Sequence, residues 1–217
     1  MMLSDLLSLL VAATMGLSWT IVYFLVVYRS FKDKQCGMPS VAMAFNLSWE
    51  FLYSFIFYDF ESDLQLWINR VWFVFDVLIF VAFLLYGAKQ WDKLYQKFFY
   101  PYAVSIVLGA FSLLYFFQLD FGVKAITYSA FTMNVLMSWM FIAMFLQQQD
   151  LKGQAFGIAF FKMLGTVAAT IVLFQRYSQF LQLLGVLCFI LDILYIVLIV
   201  DRYKKANLHL VTRRIKI

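Results

Sequence analysis

The sequence predicts an all-α membrane protein of seven transmembrane helices in a single domain spanning residues 1–217. Three observations lead there. The 217 residues are 65% hydrophobic and only 13% charged, against ~45–50% apolar and ~25% charged in a soluble domain. Seven apolar runs are each about 20 residues long, enough to cross a ~30 Å hydrocarbon core. The basic residues fall in alternate connections between those runs rather than in a separate basic domain.

The runs lie near 5–28, 38–60, 65–86, 99–119, 124–146, 156–174 and 180–200. The first is too long for a signal peptide and lacks a basic leader, so it reads as a spanning helix. Pro39 opens the second run and Pro101 the fourth, positions where a missing N–H costs nothing. The connections are short. Arg29, Lys32 and Lys34 follow the first run. Lys89, Lys93 and Lys97 follow the third, Lys152 follows the fifth, and Arg202, Lys204, Lys205, Arg213, Arg214 and Lys216 follow the seventh. The other connections hold only Arg70, Lys124 and Arg176, and 59–63 is acidic. The positive-inside rule then predicts an outside N-terminus and a cytosolic C-terminus. The net charge of +5 is accounted for by this asymmetry, and no nucleic-acid partner is implied.

A weak internal repeat is visible. Ser18-Trp19, Lys32 and Gly37 recur as Ser138-Trp139, Lys152 and Gly157 at one offset, and Phe75-Asp76-Val77-Leu78 resembles Leu191-Asp192-Ile193-Leu194. This predicts a 3+1+3 arrangement with the fourth helix as linker and a site near the midplane.

Within the spans, three carboxyls stand out. Glu50 is the only charged residue between Lys34 and Asp59, and Asp76 and Asp192 lie about as deep in the third and seventh runs. A charge at bilayer centre costs at least ~2.5–3.5 kcal/mol, so Glu50 and Asp192 are read as functional ahead of interhelical glue, and for Asp76 both readings stand. Asn46, Trp49, Glu50, Tyr53 and Phe57 share one helical face by their spacing. Glu50, Asp76, Asn134 and Asp192 sit at similar depth and are expected to converge on one cavity. Burial favours the neutral, proton-bearing form of a carboxyl, and a neighbouring carboxylate favours it further. Such a group is a general acid.

Aromatic residues make up 21% of the chain, and Trp49, Trp72 and Trp139 lie deep enough to line the cavity. Aromatic faces stabilise a passing cation by about 0.5–2 kcal/mol each. An acid in an aromatic cavity suits carbocation chemistry on an oily substrate. No nucleophile–base pair, phosphate loop, dinucleotide motif or metal cluster is evident, and no cofactor is implied. Cys36 and Cys188 suggest neither a disulfide framework nor a metal site, and His209 lies in the basic tail. Lys162 has two readings, a side chain snorkelling to the interface or a partner for a carboxylate, and snorkelling is the simpler.

Three stretches carry a family resemblance: Lys32-Asp33-Lys34-Gln35-Cys36-Gly37-Met38-Pro39 running on to Asn46-Leu47-Ser48-Trp49-Glu50; Asn134 and Met137-Ser138 followed by Gly153-Gln154-Ala155-Phe156-Gly157 and Lys162-Met163-Leu164-Gly165-Thr166; and Leu191-Asp192-Ile193-Leu194-Tyr195. Arg70-Val71-Trp72 and Asp76 fit as well. Together they resemble the integral-membrane terpene cyclases of fungal meroterpenoid and indole-diterpene pathways and their bacterial homologues. The resemblance implies metal-independent protonation of a terminal epoxide or olefin on a prenylated lipophilic substrate, followed by cyclisation of the cation. It maps two essential acids onto Glu50 and Asp192. Asn46, Trp49, Tyr53, Trp72, Asp76, Asn134, Trp139, Lys162 and Tyr195 are expected to bind substrate or support the acids. The membrane would be a bacterial plasma membrane or endoplasmic reticulum, with lipid the other partner. The chain departs from the family at Gln154-Ala155, where a serine is expected after the glutamine, and at Gln147-Gln148-Gln149, where a basic residue is expected. Both bear on recognition of the substrate headgroup.

The competing reading is a small-solute transporter similar to the SWEET and PQ-loop folds, with Asn46 and Asn134 on the solute and the carboxyls coupling protons. Pro39 has no equivalent beside Gly157, which weakens the paired hinge such a fold needs. A rhodopsin is disfavoured because the seventh run has no Schiff-base lysine. A sterol-isomerase-like enzyme shares the chemistry but fits the motifs less well.

Overall fold

The computed structural model describes residues 3–58, 63–148, 150–174 and 178–210, and every regular element in them is helical. Seven α-helices follow one another: α1 (Leu3–Asp33), α2 (Ser40–Phe51), α3 (Asp63–Tyr86), α4 (Phe99–Phe121), α5 (Lys124–Gln147), α6 (Phe156–Phe174) and α7 (Gln179–Lys205). Five helices are long and apolar enough to cross a membrane, and α6 has a shorter apolar stretch at Phe156–Ile171. The outward surface carries large apolar side chains on every face, among them Leu17, Phe24, Val74, Leu85, Leu108, Phe116, Leu183 and Val197. Apolar surface on that scale is excluded from water and belongs against lipid.

The expected spans match these helices except at three ends. α1 runs on to Asp33 because Arg29 and Asp33 pair one turn apart at 3.4 Å, which keeps the last turn wound. α7 continues to Lys205, where Arg202, Lys204 and Lys205 complement the negative end of the helix dipole. α2 stops at Phe51 and gives way to a π turn, Leu52–Ile56, closed by a 2.7 Å bond from the Phe57 N–H to the Leu52 carbonyl. Pro39 caps α2 and Pro101 sits in the first turn of α4, where no intrahelical donor is lost. The acidic 59–62, and Gln149, Arg176, Arg213, Arg214 and Lys216, lie outside the described residues.

The basic connections gather at one end of the bundle. The Arg202 guanidinium donates to the Gln148 carbonyl at 2.7 Å and stacks on the Phe145 ring at 3.6 Å. The Gly153 N–H donates to Asp33 at 2.9 Å, and Gly37 and Gly153 meet backbone to backbone, so a Cβ on Gly37 would run into the Gly153 carbonyl. Gly153 also takes φ +72, which favours glycine. These contacts bind the α1–α2 turn, the α5–α6 loop and the end of α7 into one plug. α1 packs along α6, α3 packs against both α1 and α2, and α7 packs against both α5 and α6. The main apolar core draws on all seven helices.

Candidate active site

Two polar clusters are buried in the bundle, and the expected single convergence of acids divides between them. The first joins α1, α2 and α3. Glu50 is 4% exposed and Asp76 fully buried. Between them stands Tyr23 of α1, whose hydroxyl lies 3.5 Å from Glu50 Oε1 and 3.4 Å from Asp76 Oδ2. The Asn46 amide donates to that hydroxyl and to both Asp76 oxygens at 3.4 Å. Tyr23 has one proton for two carboxyls, so it bridges Glu50 and Asp76. The other Glu50 oxygen, Oε2, is buried without a protein partner.

Glu50 opens onto a cavity of about 190 Å³ with Trp19, Tyr23, Asn46, Trp49, Trp72 and Asn134 in its lining. Two of its three indole N–H groups have partners: Trp49 donates to Ser129 at 2.9 Å and Trp72 to Thr20 at 3.0 Å. Tyr23 stacks between Trp72 and Phe75, with ring centroids 5.8 and 6.1 Å away. The pocket is thus walled largely by aromatic rings, and the polar edges of Trp49 and Trp72 are satisfied by hydroxyl groups. Asn134 is held by a 2.9 Å bond from its amide nitrogen to Thr166, which leaves its buried carbonyl oxygen unpartnered. Asn69, also in the lining, keeps a buried amide nitrogen unpartnered.

The second cluster joins α5, α6 and α7. Lys162 does not snorkel: it is fully buried and donates to Asp192 Oδ1 and Oδ2 at 2.8 and 3.1 Å and to Ser138 at 2.6 Å. All three ammonium donors find acceptors there, so the side chain has no need of the interface. Ser138 also donates to Asp192 Oδ1 at 2.8 Å. This ion pair is outside the pocket lining. Trp19 stands at the boundary, lining the pocket with its ring 5.9 Å from the Lys162 ammonium.

Three other expected site residues lie elsewhere. Tyr53 donates to Gln118 on α4 at 2.9 Å and packs on Trp49. The π turn begins one residue before it and ends the simple α-helical phase shared by Asn46, Trp49 and Glu50. Tyr195 donates to Gln154 at 3.0 Å and packs against Phe141 and Phe145. Trp139 is half exposed on the outer surface, correcting its placement in the cavity. Tyr23, the centre of the acid cluster, was not singled out in the sequence. Its only signal is the i, i+4 spacing from Trp19, which is easily read as packing among 13 tyrosines. Asn46 is engaged with Tyr23 and Asp76 and is not a free solute ligand, which weakens the transporter reading.

Among curated proteins, the chain is similar to the Pyr4-family terpene cyclase mfmH of Annulohypoxylon moriforme. The two are 29% identical over 175 residues, covering 76% of this chain and 69% of that protein. It is also similar to the terpene cyclase macJ of Penicillium terrestre, 28% identical over 187 residues, covering 80% and 69%. No solved structure matches. Residues 4–203, which hold both polar clusters and the aromatic pocket, match the family model, and the chain belongs to the Pyr4-like transmembrane terpene cyclases.

Proposed function

We propose that this terpene cyclase initiates ring closure by protonating the end of a prenyl chain on a lipophilic substrate, with Glu50 as the proton donor. The carrying observation is the unpartnered Oε2 of Glu50 in a residue that lines an aromatic pocket. A neutral carboxyl there can carry a proton on Oε2 that no protein acceptor holds, while Oε1 faces Tyr23.

The step balances without a co-reactant. The Glu50 proton passes to an epoxide oxygen and the C–O bond breaks at the more substituted carbon. With an olefin, the proton forms a C–H bond and leaves the same kind of tertiary cation. The next double bond supplies its electron pair to close a ring and carries the charge along the chain. Trp19, Trp49 and Trp72 present ring faces to that charge, each worth about 0.5–2 kcal/mol. The final cation loses a proton, so the product is an isomer of the substrate. Tyr23 and Asp76 offer a route by which the proton returns to Glu50.

Asp192 is assigned a positioning role. It neutralises Lys162, and together they hold the wall behind Trp19. The basic end is assigned to the cytosol by the positive-inside rule. The 3+1+3 repeat is supported by the equivalent placing of α3 between α1 and α2 and of α7 between α5 and α6.

The test is product analysis by mass spectrometry. Membranes carrying the protein would receive farnesyl- and geranylgeranyl-bearing aromatics, with and without a terminal epoxide, in heavy water. A cyclised product of unchanged elemental composition supports the proposal. Deuterium fixed on carbon at the chain end indicates an olefin trigger, and deuterium only on exchangeable oxygen indicates an epoxide. No cyclisation of any substrate by folded protein counts against it. Asp76→Asn should keep the fold and slow turnover about tenfold, the equivalent of one net hydrogen bond of ~1.4 kcal/mol. Unchanged turnover would remove Asp76 from the proton route.

A further inference from the structure

The three tryptophans that line the reaction pocket are held in different ways. Trp49 and Trp72 are anchored through their indole N–H groups, to Ser129 at 2.9 Å and to Thr20 at 3.0 Å. The Trp19 N–H makes no hydrogen bond to another described residue. Packing alone fixes where its ring stands, so Trp19 is the wall most easily moved.

The packing comes from α6. Lys162 and Gly165 lie three residues apart on that helix and share a face. The Lys162 ammonium lies 5.9 Å from the centre of the Trp19 ring and is itself fixed by Asp192 and Ser138. Gly165 comes closer. A Cβ at this position would stand 2.8 Å from Trp19 Cδ1, 3.0 Å from Nε1 and 3.3 Å from Ser18 Cβ. Carbon atoms in contact sit about 3.5–4.0 Å apart, so one methyl group would have to drive the indole back by about 1 Å. With α6 on one side, the room for that movement is the pocket the ring already lines. The missing side chain at Gly165 thus lets Trp19 recess onto α6.

The pocket is small enough for such a shift to change what it holds. It measures about 190 Å³, little more than the ~150 Å³ apolar cavity that takes a benzene ring. A flexible chain can bend around an intruding indole, and a closed ring cannot. Once a first ring has formed, its cation has two fates. The next double bond attacks it, forming a C–C bond and a second ring, or a neighbouring C–H bond breaks and leaves an olefin. Either way one proton leaves Glu50 and one returns to it, so the products are isomers that differ in ring number. Loss of the proton needs no further space. The second closure needs the chain to fold onto the first ring, and the depth of the pocket at Trp19 limits that.

We propose that Gly165 is a specificity-determining residue of the cyclase. By seating Trp19 against α6 it sets the depth of the pocket, and so the number of rings closed before the cation is quenched. It acts through Trp19 and is a positioning residue. This rests on ring closure taking place beside Glu50.

Gly157 supplies the control. It lies two turns earlier on α6 and faces the same neighbour, α1, where a Cβ would stand 2.8 Å from Leu25 Cδ1. Leu25 is not in the pocket lining. Gly157→Ala therefore crowds the contact between α1 and α6 without reaching the pocket.

The test has a turnover arm and a binding arm, both on the full chain in phosphatidylcholine nanodiscs. With the terminal epoxide of a hydroxyaryl farnesyl ether, Gly165→Ala should lower the ratio of two-ring to one-ring product about tenfold, the lower range for one methyl group in an apolar pocket. Trp19→Phe, with its smaller ring, should raise the ratio, and the double variant should fall between the two. Gly157→Ala should leave it unchanged. The ratio is read among products formed, so a lower yield of folded protein does not move it. An unchanged ratio in Gly165→Ala and Trp19→Phe, or the same shift in Gly157→Ala, would overturn the inference. If Gly165→Ala does not fold, the rise in Trp19→Phe decides. Failure of the wild type to turn over the substrate strikes at the reaction assigned to Glu50, and the binding arm then decides for Gly165. There the Glu50→Gln protein is given the bicyclic alcohol drimenol and its acyclic isomer farnesol. Added Gly165→Ala should weaken drimenol about tenfold and leave farnesol nearly unchanged, and further Trp19→Phe should restore drimenol. Equal weakening of both alcohols, or no saturable binding of drimenol, would overturn the inference.

Discussion

Glu50→Gln should lower kcat for cyclisation by about 10²–10⁴-fold, the usual worth of a positioned general acid, while thermal stability stays close to that of the wild type. The separation of the two effects follows from the contacts. Glutamine has the shape of the acid, and its amide can keep the contact with Tyr23 that Oε1 makes at 3.5 Å. The opposite oxygen has no protein partner to lose. What the variant lacks is the proton, and an amide cannot supply it. Glu50→Asp sharpens the point. It retains an acid but draws it back by one methylene, and a misplacement of about 1 Å can cost ~10²-fold. A Gln variant with wild-type turnover would move the donor role elsewhere, first to Asp76. A Gln variant that fails to fold would instead make Glu50 the interhelical link between α1 and α2. Circular dichroism and thermal melting of purified protein, measured beside turnover, distinguish the two.

Helix positions were legible in the sequence and the direction of each side chain was not. The spacing of apolar runs located seven helices within about five residues at every end but that of α2, because crossing a fixed hydrocarbon thickness demands a fixed length. The same counting placed Glu50, Asp76, Asn134 and Asp192 at one level. Level alone does not say which way a side chain points around its helix, and that is why Asp192 was expected in the pocket. It faces Lys162 instead. The lysine was misread for a related reason. A lysine near a helix start ordinarily reaches water, and only the three-dimensional approach of Asp192 and Ser138 gives it acceptors inside. Trp139 follows Ser138 directly, so when Ser138 turns inward its neighbour turns out toward lipid. Tyr53 was lost to the π turn, which no periodicity signals. Asn46, Trp49 and Glu50 line one pocket because they lie before that turn, within one unbroken stretch of α-helix.

Asp192→Asn should destabilise the protein by about 3–5 kcal/mol, because it leaves the Lys162 ammonium buried without its counter-charge. Both groups are essentially unexposed, at 0% and 1%, so no water replaces the lost partner. Lost activity in this single variant would therefore say little about chemistry. The informative variant removes both charges. Lys162→Met with Asp192→Leu replaces a buried pair by apolar groups of similar length, an exchange that is often neutral or stabilising by about 1–4 kcal/mol. The double variant should recover the thermal midpoint of the wild type. If Asp192 acts only by holding the wall behind Trp19, turnover should return to within about tenfold of wild type as well. Recovered folding with turnover still down by about 10³-fold would show that Asp192 takes part in the reaction itself. That outcome would also require the pair to open during turnover, since the ammonium holds both carboxylate oxygens of Asp192 in this structure. Comparing the double variant with each single one isolates the coupling between the two charges. The same comparison made with Glu50→Gln should show none, because the acid cluster and the ion pair share no hydrogen bond.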